Sequence, residues 1–218
     1  TVNPFSVQEI ADCLKGVDVP VLVKNPINPD LNLWIGALER IHQAGIKKLA
    51  AIHRGFNNYE SSHFRISPRW EIPIQLMTQV PNIPIFCDPS HITGKREWVP
   101  EVSQKAMNLG MHGLMIETHP DPEQAWSDAD QQVTPEKLGE IIGRLIIRQQ
   151  ESLDIALLDK LMQLRRIIDS IDEELLQILA KRLKVIEEIG EHKKDHNITI
   201  FQLERWNEIL NTRGDLAE

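Results

Sequence analysis

Four short apolar runs, each closed by polar residues and separated from the next by a helix-length stretch, restrict this chain more than any other feature. They lie at Val19 to Lys24, Lys48 to Ile52, Ile83 to Cys87 and Gly113 to Thr118. Between them, amphipathic spacing predicts helices over Ser6 to Lys15, with Ser6 as cap, and over Asp30 to Ala44, Arg69 to Gln79 and Trp98 to Leu109. Helix and strand alternating at this rhythm call for right-handed crossovers and a parallel sheet. Each run also carries a polar or charged residue just past its end, the layout of half an eight-stranded barrel. Pro89 stops the third run and delivers Asp88, Ser90 and His91 at the carboxyl edge, where Glu117 also arrives.

That edge collects groups with chemistry. His91, Glu117 and Asp128 form a candidate metal set, because an imidazole and two carboxylates suit manganese, iron or zinc. A turn histidine beside solvated carboxylates accounts for the same residues without a metal. Lys24 and Arg54 follow the first two strands. Two cations beside a metal suit a phosphate or carboxylate, which Arg grips in a bidentate fork, whereas surface ion pairing is the plain alternative. A formal charge of -8 argues against a nucleic-acid or anionic-membrane surface, and no apolar run approaches a membrane span. Cys13 and Cys87 lie far apart without metal-ribbon spacing, which fits a reducing cytoplasm.

From Thr134 onward no strand pattern remains. Leu157, Leu161, Leu164, Ile168, Ile171, Leu175 and Ile178 recur in steps of four and three, which is heptad spacing. Continuing the steps places Arg182 on the seam, then Val185 and Ile189. A helix this long needs partner helices. A break at Asn197 precedes a shorter helix from about Gln202 to Arg213. The domain boundary is expected in a helical region between Ile147 and Leu153, giving domains 1–148 and 149–218.

The segments Val21-Leu-Val-Lys-Asn-Pro, His53-Arg-Gly, Asp88-Pro-Ser-His-Ile-Thr-Gly and Leu114-Met-Ile-Glu-Thr-His-Pro-Asp-Pro, followed by Ser127-Asp128, resemble the second half of the 3-deoxy-D-arabino-heptulosonate 7-phosphate (DAHP) synthase barrel. The resemblance covers roughly residues 1–145 and implies that His91, Glu117 and Asp128 bind a divalent metal (Mn, Fe or Zn). It also implies that Lys24 and Arg54 hold phosphoenolpyruvate, with His91 close to its reacting carbons, and that erythrose 4-phosphate is the acceptor. The family's first four strands, its Lys-Pro-Arg-Thr segment and its cysteine ligand have no counterpart here, since neither Cys13 nor Cys87 takes that cysteine's place. With no initiator Met and four strands, the chain is expected to be part of a longer polypeptide. A related synthase using phosphoenolpyruvate with another sugar phosphate fits the same residues.

Leu164-Arg165, Ile168-Asp169, Ile171-Asp172, Leu179-Ala-Lys-Arg182 and Ile189-Gly-Glu-His-Lys193 resemble the all-helical chorismate mutase family, over about Leu157 to Arg213. The implied fold is therefore α/β, the second half of a (β/α)8 TIM barrel, followed by an all-α mutase-like domain without its third helix. The implied reaction, chorismate to prephenate, needs no cofactor. Lys193 lies eleven positions beyond Arg182, about 16 Å along one helix side, so both can face one dicarboxylate. Arg165 lies seventeen positions before Arg182, about 25 Å away, and reaches the same ligand only from an antiparallel partner, as in an intertwined homodimer. The family's catalytic positions extend to Gln202, where an acidic residue is usual, and to Arg205, which Trp206 follows in place of Glu. Those departures leave open a non-catalytic dimerisation or sensing module.

Overall fold

The computed structural model describes residues 3–57, 63–149 and 154–214. The first helix, α1 (Pro4–Cys13), is capped by Asn3, three residues before the expected Ser6 cap, because Asn3 accepts the Phe5 N–H at 2.9 Å and Pro4 occupies the first turn. After β1 (Val21–Lys24), Asp30 caps α2 (Leu31–Gln43) by accepting from the Leu33 N–H at 3.0 Å. The chain continues through β2 (Leu49–His53), α3 (Glu71–Gln79), β3 (Ile85–Cys87), the short α4 (Pro89–Thr93), α5 (Val99–Asn108) and β4 (Gly113–Leu114). Thr134 then caps α6 (Pro135–Arg144).

The strands form one parallel sheet in the order β1-β2-β3-β4, with Lys24 opposite Ile52 and His53 opposite Cys87. Val23, Ala51, Ile85 and Cys87 join Trp34, Leu38, Ile41, Leu76, Val102 and Ala106 in the core between sheet and helices. Trp34 is wholly buried and donates its indole N–H to the Val23 carbonyl at 3.1 Å, fixing α2 on β1. Truncating a side chain as enclosed as Leu76 to alanine costs about 2–5 kcal/mol. One position from Val23, Leu22 on β1 remains 43% exposed.

The fourth strand is shorter than expected. Met115 still donates to the Cys87 carbonyl at 2.7 Å, but β3 has by then turned into α4, so the following residues have no ladder to join. Glu117 donates its N–H to Ser90 Oγ at 3.0 Å instead, and Thr118 bridges to Val133. Gly113 is required beside Phe86, since a Cβ there would lie 2.7 Å from the ring.

Backbone contacts divide the chain into Thr1–Gln150 and Glu151–Glu218. The stretch expected to be helical at this boundary lies between helices: α6 ends at Arg144, residues 145–149 are irregular, and 150–153 lie outside the described residues. In the second unit, Asp154 caps α7 (Ile155–Asp195), a helix of 41 residues and about 60 Å. Its heptad stripe is open to solvent, from 37% exposure at Leu161 to 59% at Ile178. A turn through Asn197, with φ of 54°, leads into α8 (Leu203–Gly214). Among the described residues no helix is long and apolar enough to cross a membrane.

Candidate active site at the carboxyl edge of the sheet

Asp88 organises the edge. It caps α4 by accepting the His91 N–H on Oδ1 at 3.1 Å, while Oδ2 accepts from Lys24 Nζ at 2.9 Å. Its backbone N–H is held by the His53 carbonyl at 2.7 Å. Burial opposes its ionisation, yet hydrogen bonding from His91 and Lys24 outweighs that penalty and holds its carboxyl below the usual carboxylate range. The ionised Asp88 thus positions the cation of β1 and the imidazole of α4 together.

His91 and Glu117 are brought side by side, with Nδ1 3.4 Å from Oε1, while Nδ1 lies 2.9 Å from Asp88 Oδ2. Despite these short distances Nδ1 is buried and makes no well-directed hydrogen bond. The imidazole and the Glu117 carboxylate set beside it are groups of the kind that ligate divalent ions. Asp128 stands one link away. Its Oδ1 accepts from Arg65 Nη1 at 3.1 Å, the same nitrogen donates to Gln131 Oε1 at 3.0 Å, and Gln131 Nε2 donates to Glu117 Oε2 at 2.9 Å. Among the described residues, no three His, Cys, Asp or Glu side chains converge as a ready metal cage. Of the expected set, only His91 and Glu117 lie side by side, and Asp128 is linked to Glu117 through Arg65 and Gln131.

Arg54 follows β2, and its backbone N–H donates to Asn25 Oδ1 at 2.7 Å. Asn25, itself buried, donates to the Gly55 and Pro26 carbonyls at 2.7 Å each, so one amide ties together the turns that carry Lys24 and Arg54. Behind Arg54, His53 is wholly buried against Phe56 and Trp70.

In the helical unit Arg165 and Arg182 are exposed along α7. Lys193 is part-buried because its Nζ donates to the Ile200 carbonyl at 2.9 Å, drawing it over the turn before α8. Gln202 accepts the Trp206 N–H on its carbonyl at 3.0 Å, and Arg205 pairs with Glu208 at 2.6 Å.

Asp88, Asn25, Ser90, Arg65 and Gln131 were not singled out for these supporting roles by sequence reasoning. Asp88-Pro89 carries a local signal, an acidic cap before a first-turn proline. The partners of Arg65 lie more than sixty positions along the chain and leave no local pattern.

A family model described as the DAHP synthetase I family matches residues 6–151, and one described as chorismate mutase type II matches residues 164–218. A phospho-2-dehydro-3-deoxyheptonate aldolase of Thermotoga maritima is 31% identical over 126 residues, covering 58% of this chain and 37% of that protein. A 2-dehydro-3-deoxyphosphooctonate aldolase of Rhodopseudomonas palustris is 29% identical over 121 residues, 50% of this chain and 40% of that one. Among solved structures, a truncated 3-deoxy-D-arabino-heptulosonate 7-phosphate synthase of T. maritima aligns with a TM-score of 0.58 and 26% identity, over 65% of this chain and 54% of that chain. The chain therefore spans about 37% to 54% of these relatives' lengths. The family match takes in more than half the chain and the whole half barrel with its carboxyl-edge site, and this chain belongs to the DAHP synthetase I family.

Proposed function

We propose that the protein carrying this chain condenses phosphoenolpyruvate with erythrose 4-phosphate to DAHP, and that its helical part converts chorismate to prephenate. Residues 1–148 are assigned as the second half of the synthase barrel and 149–218 as the mutase-like domain. The observation that carries the reading is the joint placement of Lys24, His91 and Glu117 around Asp88 at the edge of a sheet in this family.

In this reading Lys24 and Arg54 bind the anionic groups of phosphoenolpyruvate. Lys24 is 38% exposed, with its Nζ held 2.9 Å from Asp88 Oδ2 at the same edge. His91, Glu117 and Asp128 would hold a divalent ion (Mn, Fe or Zn), which supplies Lewis acidity at the aldehyde oxygen of erythrose 4-phosphate. Asp88 keeps His91 beside the reacting carbons.

The mutase reaction is an intramolecular rearrangement and needs no cofactor. Its acceleration comes from positioning and from cations set against charge developing on the ether oxygen. Arg182 and a partner's copy of Arg165 take the carboxylates, Lys193 donates to that oxygen, and Gln202 and Arg205 complete the pocket. The open stripe on α7 supports a homodimer with interlocked helices. The cytoplasm is the expected compartment.

The test is to measure both reactions in the full-length polypeptide. Chelation and His91→Ala should each abolish condensation and spare chorismate turnover. Full condensation activity in His91→Ala would overturn the assignment.

A further inference from the structure

We propose that Gln131 is a positioning residue that couples Glu117 to Asp128 and determines which oxygen Glu117 turns toward His91. This rests on the metal-dependent synthase reading above. Gln131 is 1% exposed, and both ends of its amide are used. Nε2 donates to Glu117 Oε2 at 2.9 Å, and Oε1 accepts from Arg65 Nη1 at 3.0 Å. That guanidinium nitrogen also holds Asp128 Oδ1 at 3.1 Å. Two candidate ligands on separate turns are thereby joined through one neutral amide and one cation.

The residue type follows from what it faces. A carboxylate on one side needs a donor and a guanidinium on the other needs an acceptor, and only a side-chain amide offers both at the end of a flexible stem. A glutamate at this position would satisfy Arg65 but set two carboxylates against each other. A methionine would fill the volume and leave both neighbours unpaired. With Oε2 held by the amide, Oε1 is the oxygen that faces the His91 imidazole, 3.4 Å from Nδ1. The backbone reinforces the arrangement, since the Gln131 N–H donates to the Asp128 carbonyl at 3.1 Å, and Val133 and Glu117 are linked by a main-chain hydrogen bond of the same length. Partners that orient metal-ligating carboxylates typically change metal affinity by about 10- to 100-fold when removed.

The test uses the full-length polypeptide stripped with chelator and titrated with Mn2+, the free ion being followed by its electron paramagnetic resonance signal. In Gln131→Glu and Gln131→Met the dissociation constant for Mn2+ should rise about 10- to 100-fold. The melting midpoint of the metal-free protein should stay near the wild-type value, and excess Mn2+ should restore condensation. A general packing role would instead lower the metal-free midpoint and resist rescue by metal. Should Gln131→Met fail to fold, Gln131→Glu decides, since it keeps the Arg65 contact and replaces the donor to Glu117 with a second carboxylate. Wild-type affinity in a folded variant, or weakened affinity that excess Mn2+ cannot rescue, overturns the proposal. If the wild-type protein binds no Mn2+, the metal-centre reading itself falls, an outcome distinct from a failure confined to Gln131.

Discussion

His53 gives a quantitative handle on the barrel unit. Its ring sits 5.7 Å from that of Phe56 and 5.2 Å from that of Trp70, fully enclosed, and neither ring nitrogen makes a well-directed hydrogen bond. Burial drives its pKa from 6.5 down to about 3, against the attraction of Asp88 and of the Pro68 carbonyl. Above pH 6.5 the ring is neutral in folded and unfolded chains alike, and its titration does not affect stability. Between pH 6.5 and about 3 the unfolded chain takes up a proton that the folded one refuses, so stability falls as pH falls. The slope is about 1.4 kcal/mol per pH unit, so going from about pH 7.5 to about pH 5 costs roughly 2 kcal/mol through this residue. His53→Phe keeps an aromatic ring between Phe56 and Trp70 and removes the titration. Urea unfolding of wild type and variant at both pH values yields a double difference in which the other carboxylates and histidines cancel. It should be about 2 kcal/mol, since the variant keeps the aromatic packing against Phe56 and Trp70 while losing the titration. A double difference below about 0.5 kcal/mol would refute the reasoning that His53 stays enclosed and neutral.

Asp88→Asn should retain the cap on α4 but lose the ionised acceptor of Lys24, costing about 1.5–3 kcal/mol by denaturant unfolding near neutral pH. Because the folded-state pKa of Asp88 is depressed, the wild-type advantage should be present above the unfolded carboxylate range and shrink as pH falls through it; a constant difference would count against the pair. Arg54→Lys keeps the charge and loses the planar fork, so initial rates should show weaker phosphoenolpyruvate binding with little change for the sugar phosphate, and the reverse pattern would remove Arg54 from that role. Co-expressing Arg165→Ala with Lys193→Ala should restore one intact mutase site per heterodimer, and verified heterodimers with no activity above either parent would reject the shared site.

Where one stretch contained its own instruction, local pattern was enough to read the structure. The apolar runs ending at Lys24, Ile52 and Cys87 contain strands β1, β2 and β3, with β2 reaching one residue further to His53; Asp30 caps α2, and the heptad from Leu157 lies on one continuous helix. Where the outcome depended on a distant partner, local pattern failed. Gly113 to Thr118 has strand composition throughout, yet only its first two residues form a strand, because the neighbour that would extend the ladder becomes a helix at Pro89. His91 and Glu117 were legible as neighbours because adjacent parallel strands deliver their ends to one edge. The separation of Asp128 by Arg65 and Gln131 was not, since it is decided by side chains on a loop with no periodicity. Lys193 could be placed on a helix face by counting, but its bond to the Ile200 carbonyl depends on how the chain turns after Asn197.

Gly94 closes α4 with φ of 65°, and a Cβ placed there would lie 2.6 Å from Arg65 Cβ and 2.7 Å from its Cδ. The stem of Arg65 thus lies directly over a bare backbone, and that placement brings its guanidinium to Asp128 and Gln131. A mutational scan of this protein would score position 94 as intolerant and tempt the reader to place it among the reacting groups. Its contribution is an absence: the one hydrogen atom where other residues carry carbon sets how close a positive charge can come to the carboxylates. Replacements of every size, alanine included, should fail there alike, while the side chains that perform chemistry should show graded tolerance according to charge and shape.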